Sequence, residues 1–304
     1  MKRILLTGGT GFIGKNISPF LRLRYQLFSP FHHQLNLLDA AKVQKFITEN
    51  KIDYVIHAAN VGGTRDQFNL KDVVYTNLTM FFNIVRNINY LKKIIYFGSG
   101  AEYDKRQPII AVKEEQSDRR VPVDAYGFYK YICAKYTQAL NSDRLCCLRL
   151  FGIYGPHENY LIKFISNAIV KNLLHQDIVI NQDVLFDYLY VADLIPILDF
   201  FLNHKGKYSI YNVSTGEKIS LTQIVTLINR SSAFQSKITV KNKELNNEYT
   251  ASNKRLIEEI SDLKITPIKQ GIKKLFNWYN KNLDLIDKSK VIEDKYAKLC
   301  VVKS

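Results

Sequence analysis

Short, unbroken apolar runs alternate with helix-spaced apolar stripes along the first half of the chain. Ile4-Leu5-Leu6 predicts a buried strand over 2–6, and Phe12, Ile13, Ile17 and Leu21 then carry helical spacing. A second short strand is expected over 25–28. Leu38-Asp39 opens a helix with Val43, Phe46 and Ile47 on one face. Residues 54–58 form a strand that ends in a Gly62-Gly63 turn. Phe81, Ile84, Val85 and Ile88 mark a long helix, and 93–97 is a further strand running into Gly98-Ser99-Gly100. Strands alternating with helices predict an α/β fold, a doubly wound parallel sheet covered on both faces. The sheet domain is expected over 1–150, with part of 185–205 returning to it. Beyond 150 the pattern is less regular, which predicts a smaller α/β domain over 151–284. The charged segment 285–304 is expected as an appended helix or a loose tail.

At 304 residues the chain has room for one large domain or two modest ones. No apolar run is long enough to cross a bilayer, and Met1-Lys2-Arg3-Ile4 enters a strand at once, which fits no secretory leader. The four cysteines, Cys133, Cys146, Cys147 and Cys300, match no zinc spacing. Reduced thiols in a cytoplasmic protein, with no metal site, are expected. The formal charge of +15 invites anions. The lysines are spread out, however, with much of the excess over 264–290, so a solvated surface explains most of them. No nucleic-acid-binding module and no membrane-binding segment is expected.

The octet 7-TGGTGFIG-14 changes the picture. It lies between a strand and a helix, the context a dinucleotide-binding Rossmann loop requires. Gly8 permits the tight turn, Gly11 lets backbone N–H groups approach a pyrophosphate, and Gly14 lets the helix pack closely. Phe12 and Ile13 open the helix, whose N-terminus supplies positive potential and free donors. An NAD site usually places a carboxylate after the second strand. Here that stretch reads Phe28-Ser29-Pro30-Phe31-His32-His33. Ser29 and His32 are the candidate contacts instead, which favours NADPH and leaves NADH open. Exposed loop histidines without a role are the plain alternative.

Within 126-YGFYK-130, Tyr126 and Lys130 lie one helical turn apart, so their Cβ atoms should be roughly 5–6 Å apart on one face. An ammonium there is expected to lower the phenol pKa from about 10 towards neutrality. Such a phenol moves protons at a carbonyl or alcohol, worth roughly 100- to 10,000-fold in rate. Ser99, at a strand end, can hold the same oxygen. Tyrosine and lysine are abundant here, so the pair alone would be coincidence; its order after the glycine loop and the strand-end serine argues otherwise.

Together TGGTGFIG, 57-HAANVGG-63, 98-GSGAEY-103, YGFYK and 149-RLFGIYGP-156 resemble the extended short-chain dehydrogenase/reductases that modify nucleotide sugars. The likeness runs from residue 2 to about 280, and 35-LNLLD-39 with HAANVGG is most similar to the GDP-fucose synthase branch. The resemblance implies a catalytic triad of Ser99, Tyr126 and Lys130. It implies cofactor contacts at Leu38, Asp39 (adenine), Ala58, Ala59 and Phe151. On the substrate side it implies Gly62, Gly63, Ser99, Gly100, Asn159, Lys163 and Arg255. It also implies a nucleotide-diphosphate sugar as substrate and a homodimer through helices near 77–89 and 125–141.

Departures from the family pattern narrow the chemistry. Family dehydratases carry Asp-Glu directly after the strand-end hydroxyl; here Gly100 and Ala101 stand there, and Glu102 is one place off. The epimerising fucose synthases place a cysteine two residues after the serine, where Ala101 cannot move a proton. Their histidine partner has no clear match in the loop after 155-GPHENY-160, where Lys163 lies nearest. Gly152 replaces the usual Asn before YGP, and Phe186 in 186-FDYLYVADL-194 replaces an arginine. Lys163, Lys171, Lys254 and Arg255 remain as phosphate contacts or as solvated cations. The expectation is NADPH-dependent reduction of the C4 ketone of a nucleotide-linked 4-keto-6-deoxysugar or keto-heptose in surface-glycan sugar biosynthesis. The alternatives are a 4-epimerase with bound NAD, a bifunctional 3,5-epimerase/4-reductase, a non-catalytic dinucleotide sensor and a charge-driven nucleic-acid binder.

Overall fold

A computed structural model describes residues 1–67, 69–300 and 302. Six parallel strands form the main sheet. Their order is Gln26–Phe28, Arg3–Thr7, Tyr54–His57, Lys93–Ser99, Leu145–Leu150 and Ile210–Val213. Both faces are buried, which is why the strands read as continuous apolar runs. Ile4, Leu6, Ile56, Ile95 and Leu148 pack against helices Phe12–Arg24 and Leu194–Asn203 on one side. On the other, Leu5, Val55, Ile94, Tyr96 and Cys147 pack against Ala40–Glu49, Val73–Val85 and Ala125–Leu140.

The element bounds lie within a residue or two of the expected ones, and two of the differences have a clear cause. The fourth strand continues through Gly98 to Ser99, because Gly98 and Ser99 still pair with Arg149 and Leu150. The long helix ends at Val85, and Ile88 falls in a separate 3-10 turn, Ile88–Tyr90. The chain leaves the first strand for neighbours on either side. The crevice beyond the strand ends therefore opens between Thr7 and His57, the usual ligand position in such sheets.

Beyond residue 150, three helices, Phe164–Leu173, Leu221–Asn229 and Ile268–Lys281, enclose a second apolar cluster beside the parallel pair Ile178–Gln182 and Ile238–Asn242. The only tryptophan, Trp278, lies here with its ring 5.1 Å from His157. A four-stranded sheet stitches the halves together, in the order Ile219–Ser220, Leu185–Phe186, Tyr249–Ala251 and Ile109–Val112. The C-terminal segment docks through two short helices, Lys288–Ile292 and Lys295–Lys298, which bury Val291 and Tyr296. Lys171 is buried and pairs with Asp294 at 2.7 Å, so it is not a solvated cation. Lys295 reaches Asp66 at 3.1 Å, across to the first half. Residues 301, 303 and 304 of the expected tail lie outside the described residues. No helix among the described residues is long and apolar enough to cross a membrane.

Candidate active site

The glycine loop leaves the first strand at Gly8, whose φ of +71° is the left-handed conformation that favours glycine. A Cβ at Gly8 would also strike the backbone of Ala58 and Ala59, 2.7 and 2.6 Å away. Gly14 packs against Gly8 and Gly9 with no room for a side chain. Gly11 is different: a Cβ there would meet only the Gly8 carbonyl, at 3.3 Å, and otherwise open space. That space lies at the N-terminus of Phe12–Arg24, where Gly11 offers no side chain to cap Phe12 and Ile13. Open room, free donors and positive helix potential fit a pyrophosphate. Ser29 lies against Gly9, and His32 is exposed in the turn that follows. Asp39 caps helix Ala40–Glu49 by accepting Lys42 N–H at 3.0 Å, next to exposed Leu38.

Ser99, Tyr126 and Lys130 come together at the end of the fourth strand. Asp124 caps the helix Ala125–Leu140 by accepting Gly127 N–H at 2.8 Å. Gly127 lets this helix press onto the Gly100–Tyr103 turn, since a Cβ would stand 2.8 Å from the Ala101 carbonyl. Tyr126 stands in the same first turn, on the side of the Ser99 side chain, whose hydroxyl bears on its acidity. Gly63, with φ +94°, has the edge of the Tyr126 ring where a side chain would project. Gly62, with φ +80°, is held by Asn60, whose amide donates to its carbonyl at 2.7 Å.

Lys130 is buried and donates to the Phe97 carbonyl. Its ammonium lies 4.6, 5.2 and 5.7 Å from the ring centroids of Tyr96, Tyr129 and Tyr126. Among the described residues, this aromatic cage holds the cation without a carboxylate partner at hydrogen-bonding distance. Burial pushes Lys130 down from 10.5 to about 8. The expected lowering of the Tyr126 pKa is not what the structure gives. Burial raises it to about 12; the Ser99 hydrogen bond opposes this, and the Glu102 and Asp124 charges add to it. The Lys130 ammonium is turned to the Phe97 carbonyl and does not offset the desolvation. Tyr126 thus stands as a neutral phenol at neutral pH.

Glu102 does not face the cleft as an acid. It is fully buried, accepts Ser99 N–H at 2.8 Å and takes Arg149 Nε–H at 2.6 Å. Arg149 also donates to Tyr103, which donates to Asn212 at 2.8 Å. The carboxylate that looked like a displaced dehydratase acid is the anchor of the serine backbone.

Phe151 sits behind Gly100 among Tyr103 and Tyr249. Asn159 is exposed, and its Oδ1 accepts Leu161 N–H at 3.0 Å. Lys163 precedes helix Phe164–Leu173, and its charge bears on Lys105, as does that of Arg65. Lys105 places its ammonium 5.9 Å from the Tyr126 ring. Arg255 is not brought to this cluster: Glu114 and Glu115 hold its guanidinium, which lies 4.1 Å over Tyr208. Lys254 pairs with Glu258 at 3.6 Å on the surface. Arg65 and Lys105 escaped sequence reasoning. Neither lies in a motif; only their proximity to Gly63 and Tyr103 along the chain could have marked them.

The profile of the NAD dependent epimerase/dehydratase family matches residues 4–214. The chain belongs to that family. Membership makes it an NAD(P)-dependent oxidoreductase or epimerase. Among curated relatives, the GDP-L-fucose synthase of Dictyostelium discoideum is 25% identical over 317 residues, spanning 93% of this chain and 97% of its own length. Two solved structures share the fold. The GDP-mannoheptose C4 reductase of Campylobacter jejuni, determined with NADP bound, has a TM-score of 0.77 at 20% identity, covering 91% of this chain and 98% of its own. The UDP-glucose 4-epimerase of Thermotoga maritima, determined with UDP-glucose, has a TM-score of 0.78 at 19% identity, covering 92% and 99%. A reductase and an epimerase thus share this backbone, and the fold alone does not separate them.

Proposed function

We propose that this enzyme reduces the C4 ketone of a nucleotide-activated 4-keto-6-deoxysugar or keto-heptose, using NADPH. The cofactor supplies the hydride. Gly8, Gly11 and the first helical amides, Phe12 and Ile13, would hold its pyrophosphate; Ser29 and His32 would meet its adenosine end. Ser99 polarises the ketone oxygen by donating to it, and Tyr126 hands its phenolic proton to the same oxygen as charge develops. Lys130, caged by three tyrosine rings, keeps a positive charge beneath the reacting centre. Lys105 and Lys163, whose charges bear on each other, would supply the cationic side of the cleft for a sugar-nucleotide diphosphate, with Arg65 held behind them by Cys300 and Tyr296.

The observation that carries this reading is the gathering of Ser99, Tyr126 and Lys130 at one strand end with no second proton carrier at Ala101. Burial raises the Tyr126 pKa, so the phenol holds the proton that a reduction consumes. Ala101 is fully buried and apolar at the place where an epimerising relative would need a second proton carrier, which argues against a 3,5-epimerisation step. The test is a panel of 4-keto sugar nucleotides with NADPH and NADH in deuterated buffer. Net oxidation of NADPH without deuterium at C3 or C5 is expected. No turnover with any member, or deuterium at those carbons, would overturn the assignment. The rate should also fall above about pH 8 as Lys130 loses its proton. With that limb absent, the lysine charge would have no part in the rate.

A further inference from the structure

The charged segment after residue 285 belongs to none of the sequence motifs, yet it ends against the loop that carries Gly62 and Gly63. That loop is tied at both ends. At its start Asn77 holds Val61 twice, accepting its N–H and donating to its carbonyl, each at 2.9 Å. At its far end the C-terminal segment takes over. Arg65 donates to Cys300 Sγ, and its guanidinium lies 5.4 Å over the Tyr296 ring. Lys295 pairs with Asp66 at 3.1 Å. The segment is itself fastened to the second half: Tyr296 is buried with its ring 5.6 Å from Phe164, and Asn181 donates to the Ala297 carbonyl at 2.8 Å. Between the two ties, Gly63 lies on the edge of the Tyr126 ring.

We propose that segment 288–300 is a strap that seats the Gly62–Arg65 loop beside Tyr126, with Arg65 as the positioning residue, and so shapes the sugar-nucleotide side of the cleft from outside it. This rests on the reductase reading above. Gly62 and Gly63, at φ +80° and +94°, are the residues least able to fix their own backbone, so the loop takes its place from its two ties. Tyr126 is placed by its own helix and does not need the strap. Binding of a sugar nucleotide and docking of the strap both require the loop in place, so each favours the other.

Tyr296→Leu keeps an apolar side chain against Phe164 but removes the ring under Arg65, and Cys300→Ala removes the sulfur acceptor. With both changes, KM for a keto sugar nucleotide should rise about 5- to 20-fold, the lower range of coupling between linked sites. The kcat and NADPH affinity should stay within about twofold, since the phenol and the glycine loop are untouched. Arg65→Gln should raise KM alike, and adding it to the double variant should cost nothing more. An unchanged KM in the double variant, or a full further loss from Arg65→Gln, would overturn the proposal. A second measurement needs neither turnover nor a variant. Cys300 is half-exposed while Cys133, Cys146 and Cys147 are buried, so N-ethylmaleimide reports on the strap. Among GDP, UDP, CDP and dTDP, one that binds by calorimetry should slow the labelling at least about threefold, and NADPH alone should not. Binding of none of them, or equal labelling with and without the bound nucleotide, counts against the strap. Nucleotide protection without turnover of any keto sugar nucleotide supports the strap and sinks the reductase reading alone.

Discussion

Ser99 and Tyr126 stand on long elements, a seven-residue buried strand and a sixteen-residue helix, whereas Tyr249 stands on a three-residue strand of the small mixed sheet. The long elements fix their side chains through many neighbours in the two main apolar layers. The short strand depends on two flanking strands and on the fit of one ring against Gly100. The proposed chemistry thus falls on the long elements that the two apolar layers hold in place.

The largest effect expected of this division is in Tyr126→Phe. Its reductase rate should drop roughly 100- to 10,000-fold while NADPH affinity, read by fluorescence titration, stays unchanged. An unchanged rate would remove the phenol from the proposed chemistry. Next comes the anchor beneath the serine. Glu102→Gln leaves Arg149 buried without its counter-charge, and urea unfolding should show a loss of about 3–5 kcal/mol. Glu102→Leu combined with Arg149→Met should recover most of it; failure of the pair to outdo the single variant would show that the ion pair is needed for its charge and not only for its match.

The two halves should also respond oppositely to pH. His57, buried beside Thr7 at 2.8 Å, is held down to about 3 by burial and then by the Lys130 charge. The unfolded chain therefore takes up a proton that the native state refuses, and stability falls as pH drops from 6.5 towards 3. Glu158 in the second half is raised by burial from 4.5 to about 7, against the pull of Lys163 and Ser166. Its contribution is complete below pH 4.5 and is lost as pH rises through 7. Each slope is at most ~1.4 kcal/mol per pH unit. Glu158→Gln should flatten the loss above pH 4.5 and leave the acid limb intact; an unchanged stability curve would remove Glu158 from this account. The smallest effect belongs to the strap between the halves. Lys295→Ala breaks a half-exposed pair with Asp66 and should cost no more than ~1 kcal/mol, less in high salt. A multi-kilocalorie loss would mean that the C-terminal segment, not the mixed sheet, holds the halves together.

Legibility followed the same division. Runs such as Ile4-Leu5-Leu6 are buried on both faces, and a glycine loop or a Tyr–Lys pair one turn apart obeys local geometry, so each was visible along the chain. Tyr249 was not, because its place against Gly100 comes from pairing with a strand met 139 residues earlier, as in the bond from Ala111 N–H to Thr250. Glu102 looked like a misplaced acid because nothing local shows that Arg149 faces it across the sheet. Lys171 looked like a surface cation because its partner, Asp294, arrives with the C-terminal segment. Even the Tyr–Lys pair misled on electrostatics: spacing gives proximity, whereas burial sets the proton affinity. Gly127 was the readable clue left unused, since a glycine in the first turn of a helix signals close packing at that point.

The lone indole of Trp278 sits edge-on to His157 and beside Tyr279, wholly within the second half. Emission excited near the red edge of protein absorbance therefore reports melting of that half alone, while circular dichroism averages over both. Should the two signals part company on heating, the molecule comes undone in two stages, and the second half can be followed apart from the first.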